Sequence, residues 1–288
     1  MTTLRVKDLP TFMTVTDPSD FMFQYFLNAG QSTLQASLIL LNSYDDLEGP
    51  VLRDLNTKFS GKVLSIGPLL LSARDSTVNT NIWKEETRCL EWLDEQRLSS
   101  VIYVCFGSIT VLSDEELIEF AWGLEASNQP FLWAIRPDLV QGQSAVLPRD
   151  FIESSKGRSF FVSWAPQSKV LSHPSVGGFL THSGWNSTIE SICAGVPMIC
   201  WPFFAEQQTN RRFVDHVWKV GFEMAEEVSR ENVETLVRKL MNVEDEQVKL
   251  IRKNILKLKE SAILAGQIGG SSYNNIFKFV NQMLHENV

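Results

Sequence analysis

Side chains able to recognise a nucleotide and a sugar crowd into residues 164–207. Trp164 closes a β-type run, and an indole at a strand end offers a flat face to a nucleobase, worth about 1–3 kcal/mol of stacking. The same indole would serve as core filling, and position alone does not separate the two. Next, His182-Ser-Gly-Trp-Asn-Ser187 leads from the run Gly178–Thr181 into a helix. A tight turn that delivers a helix N-terminus collects anions, because unpaired N–H groups and the helix dipole point the same way. His182, Asn186 and Ser187 add side-chain donors there, and a diphosphate suits the place. A structural alternative competes: Ser187-Thr-Ile-Glu190 has capping-box spacing, with Ser187 closing the helix and Glu190 reaching back. Glu206-Gln207 sets a carboxylate beside an amide, which provides acceptors and donors for sugar hydroxyls or simply makes an ordinary first helical turn. Ser108, in Phe106-Gly-Ser108, is a weaker phosphate-loop candidate.

The elements that must hold these groups follow from apolar patterning. Beyond Val101, β-type runs at Val101–Phe106, Phe131–Ile135, Phe160–Ser163, Gly178–Thr181, Pro197–Cys200 and Val220–Glu223 alternate with helical patterns. The helices are expected at Asp114–Ser127, Asn186–Ala194, Gln207–Val217, Glu231–Met241, Glu246–Leu264 and Tyr273–Leu284. Ser113-Asp-Glu-Glu116 reads as a capping box. Such alternation predicts a doubly wound α/β domain, whose ligands lie beyond the carboxyl ends of its strands. Residues 1–70 differ: strands are expected at Ser37–Asn42 and Gly61–Gly67 and a helix at Asp20–Gln31, too little to close a core. The polar stretch Leu71–Asn81 reads as a linker, with a boundary near residue 75.

Composition narrows the functions. With 26 basic and 34 acidic residues the net charge is −8, the wrong sign for a generic nucleic-acid or anionic-membrane surface. The longest nearly apolar stretch, Ala194–Ala205, is broken by Pro197 and Pro202 and falls short of the ~20 residues that span a bilayer. No apolar signal core opens the chain. Cys89, Cys105, Cys193 and Cys200 show no zinc-type spacing, and Cys105 and Cys200 read as buried reduced thiols, which suits the cytoplasm. No G-x-G-x-x-G follows a predicted strand and there is no P-loop, so a nicotinamide or nucleotide-triphosphate enzyme loses its main support.

Segment 164–207 as a whole resembles the signature box of plant secondary-product UDP-glycosyltransferases, the family 1 enzymes of GT-B fold. The matching positions are Trp164-Ala-Pro-Gln167, Val170-Leu171, His173, Gly177–Phe179, Thr181-His182, Gly184-Trp-Asn-Ser187, Glu190, Gly195-Val-Pro-Met198, Trp201-Pro202 and Glu206-Gln207. The resemblance extends to Tyr103–Ser108, Cys89–Asp94 and Gly269-Gly-Ser-Ser272, and in the opening to Lys7–Pro10 and Leu41–Tyr44. It implies an α/β fold of GT-B type: a remnant of the N-terminal acceptor-binding domain with its linker in residues 1–75, a complete C-terminal Rossmann-like UDP-sugar domain in 76–268, and a C-terminal helix in 269–288.

The resemblance also implies roles. Trp164 stacks on uracil, Ala165 and Gln167 hold base and ribose, and Glu190 takes the ribose hydroxyls. Ser108, His182, Asn186 and Ser187 bind the diphosphate, while Trp185, Glu206 and Gln207 address the hexose, Gln207 favouring glucose. Ser183 stands where the box usually has Cys; its backbone N–H is expected to remain available. The implied reaction moves glucose from UDP-glucose, a co-substrate, to a hydroxyl of a small lipophilic acceptor with inversion, without metal or other cofactor. The family's base is a His early in the N-terminal domain, which these residues are expected to lack. No catalytic residue is therefore assigned, and the chain is expected to hold the donor site and to be inactive alone. Its alternative is a non-catalytic UDP-sugar-binding module or the partner of an intact relative.

Overall fold

A computed structural model describes residues 4–72, 84–140 and 146–285. Residues Met1–Val78 and Leu256–Val288 make one unit, and Asn79–Ile255 another. In the first unit, helix α1 (Phe21–Thr33) starts at Asp20, whose carboxylate accepts the Phe23 N–H at 2.9 Å. Strands β1 (Ile39–Leu41) and β2 (Val63–Ser65) pair in parallel with Ile39 opposite Val63, and helix α2 (Asp45–Lys58) connects them. The patterning did not predict α2, because Gly49-Pro50 reads as a breaker. The chain indeed kinks at Glu48, and Pro50 is accommodated within the helix beyond that kink. The short helix α3 (Leu69–Ser72) covers the first two residues of the expected linker; the remainder of it, with the boundary near 75, lies outside the described residues.

The other unit carries helix α4 (Arg88–Asp94) and six parallel strands: β3 (Val101–Cys105), β4 (Phe131–Ala134), β5 (Ser159–Val162), β6 (Val176–Thr181), β7 (Met198–Cys200) and β8 (Gly221–Glu223). Their order is β5-β4-β3-β6-β7-β8. Between them run α5 (Asp114–Ala126), α6 (Arg149–Ser154), α7 (Gln167–Leu171), α8 (Trp185–Ala194) and α9 (Gln207–Arg212), and after them α10 (Arg230–Met241) and α11 (Glu246–Gly266). Every residue of β3 and β6 is buried, as a central strand covered on both sides requires. Ile102, Val104, Phe131, Trp133 and Leu180 join one core with Phe120 and Leu124 of α5 and Val233, Val237 and Leu240 of α10. On the opposite side of the sheet Tyr103 stacks on Phe179, ring centroids 5.1 Å apart. The α5–α10 seam closes because Gly123 has no side chain; a Cβ there would sit 2.5 Å from that of Val233. The predicted capping box at Ser113–Glu116 forms, with bonds of 2.8 and 3.1 Å.

Two expected elements differ. The single helix over Gln207–Val217 is α only to Arg212 and continues as a π turn, Phe213–Val217, with the Trp218 N–H on the Phe213 carbonyl at 2.7 Å. The division at the carboxyl end falls within α11 instead of at residue 268. Residues 256–288 group with the first unit because helix α12 (Ser271–His285) packs on β2, where Asn275 donates to the Ser65 carbonyl at 2.8 Å. The Tyr44 hydroxyl likewise donates to the Leu258 carbonyl at 2.9 Å. These contacts span more than two hundred residues, which no local pattern reveals.

Candidate functional site

The chain leaves β3 in one direction, through β4 and β5, and then returns to β6 on the other side of β3. This reversal opens a crevice at the carboxyl ends of β3 and β6, the place where parallel sheets bind ligands. Gly107-Ser108 follow β3 there, and His182 follows β6. Gly107 has φ +78°, and a Cβ on it would lie 2.5 Å from His182 Nε2; so would a Cβ on Gly184. The two turns thus meet around one imidazole, possible only because both carry hydrogen in place of a side chain. Burial pushes the His182 pKa down to about 4, the nearby Arg136 charge adding to the effect and the Cys105 backbone opposing it. His182 is therefore a neutral ring at physiological pH. Ser108 lies half-buried in the β3 turn, and Asn186 is exposed on the first turn of α8.

Ser187 and Glu190 do not form the capping box their spacing allows. Helix α8 begins two residues before Ser187, with Gly184 as its N-cap and no side chain capping it. Its N-cap offers the first turn no side-chain oxygen, and the Trp185 N–H faces Glu206 Oε1 instead. Both side chains reach the neighbouring helix instead: Gln167 Nε2 donates to Ser187 Oγ at 3.0 Å and to Glu190 Oε2 at 2.5 Å. The Tyr103 hydroxyl donates to Gln167 Oε1 at 3.3 Å, so the amide is fixed from the sheet below. Burial raises the Glu190 pKa, and the Gln167 bond partly offsets this. Trp164 is half-buried just before α7, next to buried Ala165. The strand-end loop is clamped by Glu86, whose N–H donates to the Trp164 carbonyl at 2.8 Å while its carboxylate accepts the Ser163 N–H at 2.8 Å.

Beyond β7, Glu206 Oε1 faces the Trp185 N–H at 3.4 Å and Asn210 Nδ2 at 3.4 Å. Gln207 is buried, and its carbonyl oxygen accepts the Phe203 and Phe204 N–H groups at 2.8 and 3.2 Å. That oxygen holds its own loop, so the amide NH2 is what Gln207 can offer outward. Asn210 ties this loop to the β6 turn by donating to the Ser183 carbonyl at 2.9 Å. The Ser183 N–H, expected to be available, is not: Ser183 has φ 66° and donates to Thr181 Oγ1 at 3.2 Å.

The structure brings Ser108, Trp164, Ala165, Gln167, His182, Trp185, Asn186, Ser187, Glu190, Glu206 and Gln207 to one rim of one sheet. Sequence reasoning missed the residues that hold them: Tyr103, Glu86 and Asn210. It also missed Arg136, 3% exposed just past β4, which donates to the Thr110 carbonyl while its Nε and Nη1 have no hydrogen bond. A guanidinium immediately beyond a predicted strand, on the ligand side of the sheet, was the available signal. His173, inside the same motif, is bound to Ser175 Oγ at 2.8 Å and Asp94 Oδ1 at 3.1 Å. Among the described residues one cluster could hold a metal ion, Asp215, His216 and Glu223 near β8. No described helix is long and apolar enough to cross a membrane.

Comparison with known proteins identifies relatives of the chain. Residues 79–262 match the family model described as UDP-glucoronosyl and UDP-glucosyl transferase. A 7-deoxyloganetin glucosyltransferase from Gardenia jasminoides is 48% identical, over 99% of this chain and 60% of its own length. The chain thus spans about three fifths of that relative. Among solved structures, Phytolacca americana UGT2 complexed with UDP-2fluoro-glucose and pterostilbene superposes with a TM-score of 0.84 at 34% identity, covering 96% of this chain and 60% of that one. Os79 from O. sativa in complex with UDP gives 0.87 at 28% identity, covering 97% and 63%.

Proposed function

The chain belongs to the UDP-glucoronosyl and UDP-glucosyl transferase family, and on that premise we propose that the carboxyl rim of its six-stranded sheet binds UDP-glucose for transfer to a hydroxyl of a small lipophilic acceptor. The observation that carries this reading is the α8 N-terminus, begun by a glycine at the reversal of strand order, with the Gln167–Ser187–Glu190 cluster beside it. Trp164 stacks on uracil beside Ala165, and Gln167 and Glu190 hold the base and ribose hydroxyls. The diphosphate lies across the α8 N–H groups, Ser108, His182, Asn186 and Ser187. A neutral imidazole donates a hydrogen bond there without its own charge, and the buried Arg136 adds positive potential from below. Trp185, Glu206 and the Gln207 amide meet the hexose. The chemistry asks for no metal, because the developing charge on UDP is met by backbone and side-chain donors.

A base for the acceptor hydroxyl must be unprotonated and able to take a proton near the operating pH. His182, at about 4, is too weak a base, and His173 is engaged on both nitrogens. Neither histidine of the donor site therefore serves as the base, and we expect the isolated chain to bind donor without turning it over. Equilibrium dialysis with radiolabelled UDP-glucose, run beside a glucosylation assay on phenols and terpenols, tests both halves. Saturable binding with no glucoside is the expected result; absent binding overturns the site, and turnover above background overturns the assignment of the base.

A further inference from the structure

We propose that Asp215, His216 and Glu223 bind one divalent transition-metal ion, Zn2+ by the chemistry of their donors, at the β8 edge of the six-stranded sheet. The turn that carries two of them is unusual. Adjacent residues of an α-helix point about 100° apart and do not share a ligand. Here the π turn Phe213–Val217 brings Asp215 Oδ2 to 3.1 Å from His216 Nε2. Glu223, the last residue of β8, places Oε2 at 3.9 Å from the same nitrogen. All three donor atoms lie within 4.8 Å of one another. Donors around tetrahedral zinc stand roughly 3.3 Å apart, given bonds of ~2.0–2.2 Å, so one pair already fits and small side-chain rotations close the other two.

The carboxylate at 223 is also held from behind. Arg211, buried with 1% exposure, faces Glu223 Oε1 at 3.8 Å, whereas Oε2 turns towards His216. One oxygen can thus stay with the guanidinium while the other binds the ion, the arrangement that orients a carboxylate ligand. Two carboxylates and one imidazole leave the fourth position of a tetrahedral ion to water. The imidazole discriminates against Mg2+ and Ca2+, which take oxygen ligands. This set lies apart in function from the donor site: none of its three groups is assigned to UDP, sugar or acceptor.

Isothermal titration of the full chain with zinc chloride tests the proposal, with Co2+ as a visible-absorption probe of the ligand field. One equivalent of Zn2+ should bind, Co2+ should show tetrahedral d–d bands, and excess Mg2+ should not compete. His216→Ala and Asp215→Asn should each weaken Zn2+ binding at least tenfold. The His216 side chain is 42% exposed, so its removal leaves the fold intact and decides the matter should Glu223→Gln destabilise the chain. Melting curves taken without metal verify that the variants are folded. Absence of saturable Zn2+ binding, or equal affinity in the His216→Ala chain, would overturn the site.

Discussion

Glu190 is a carboxylate that burial penalises, and the Gln167 amide offsets only part of the cost. Its folded pKa is raised, so the native state holds the proton to higher pH than the unfolded chain does. Stability is consequently lost as pH rises through that folded value, so the carboxylate form serves binding rather than folding. Glu190→Gln should therefore stabilise the chain by about 0.5–2 kcal/mol, the range of single stabilising substitutions, while UDP affinity falls roughly tenfold to a hundredfold as charge-assisted bonds to the ribose are lost. Thermal melts and calorimetry on one sample would read both effects; a loss of stability together with unchanged affinity contradicts the assignment. His182 gives the opposite pH behaviour. Its folded pKa of about 4 lies below the ordinary 6.5, so below pH 6.5 the unfolded state takes up a proton that the native state refuses. Up to about 3 kcal/mol of stability should vanish between pH 6.5 and pH 4. Denaturant titrations at several pH values should show that slope in the natural chain and a flatter one in His182→Gln. In Arg136→Met, loss of the neighbouring charge should raise the His182 midpoint in an NMR titration.

The elements were legible where burial imposes a period. The runs at Val101, Phe131 and Pro197 are strands because both faces are covered, and the Ser113 capping box marks the start of α5. Alternation of those runs with helices was enough to predict the parallel sheet whose carboxyl rim holds the proposed site. What stayed hidden was set by contacts distant in sequence. Ser187 and Glu190 were spaced as a cap, yet Gln167, on another helix, takes both. Gln207 was read as an outward amide, yet its oxygen closes the loop at Phe203 and Phe204. The π turn after Arg212 has no one-dimensional signature, since it adds a residue without interrupting the apolar pattern. The two turns that meet at His182 make a prediction at this scale. Gly107→Ala forces a left-handed conformation on a residue with a side chain, at roughly 1–2 kcal/mol, and sets a Cβ 2.5 Å from the imidazole nitrogen. UDP binding should weaken at least tenfold while uridine binding hardly changes, as parallel titrations with the two ligands would reveal. Equal losses for both would mean that the turn supports the whole fold and not the phosphates.

At the scale of the molecule, all four cysteines are buried and none forms a disulfide. Burial pushes the Cys200 thiol up to about 12, which makes it inert packing. The unit of residues 1–78 and 256–288 is less well covered. Helix α1 has no buried residue, and Phe21 and Tyr25 are 76% and 57% exposed. Apolar surface of this kind drives association. Sedimentation velocity should find oligomers that grow with concentration, and Phe21→Ser with Tyr25→Ser should shift them towards monomer; a sharp monomer at all concentrations would rule this out. In the other unit, the sheet reversal, the glycine-started helix and the tryptophan-ended loop make up the proposed pocket for a uridine diphosphate sugar. The most direct test of that pocket is a calorimetric comparison of UDP, ADP and uridine on chain verified as folded. UDP should bind at least tenfold more tightly than either of the others, and Trp164→Ala should remove much of its preference over ADP. Equal affinity for UDP and ADP, or no binding of either, would contradict the account.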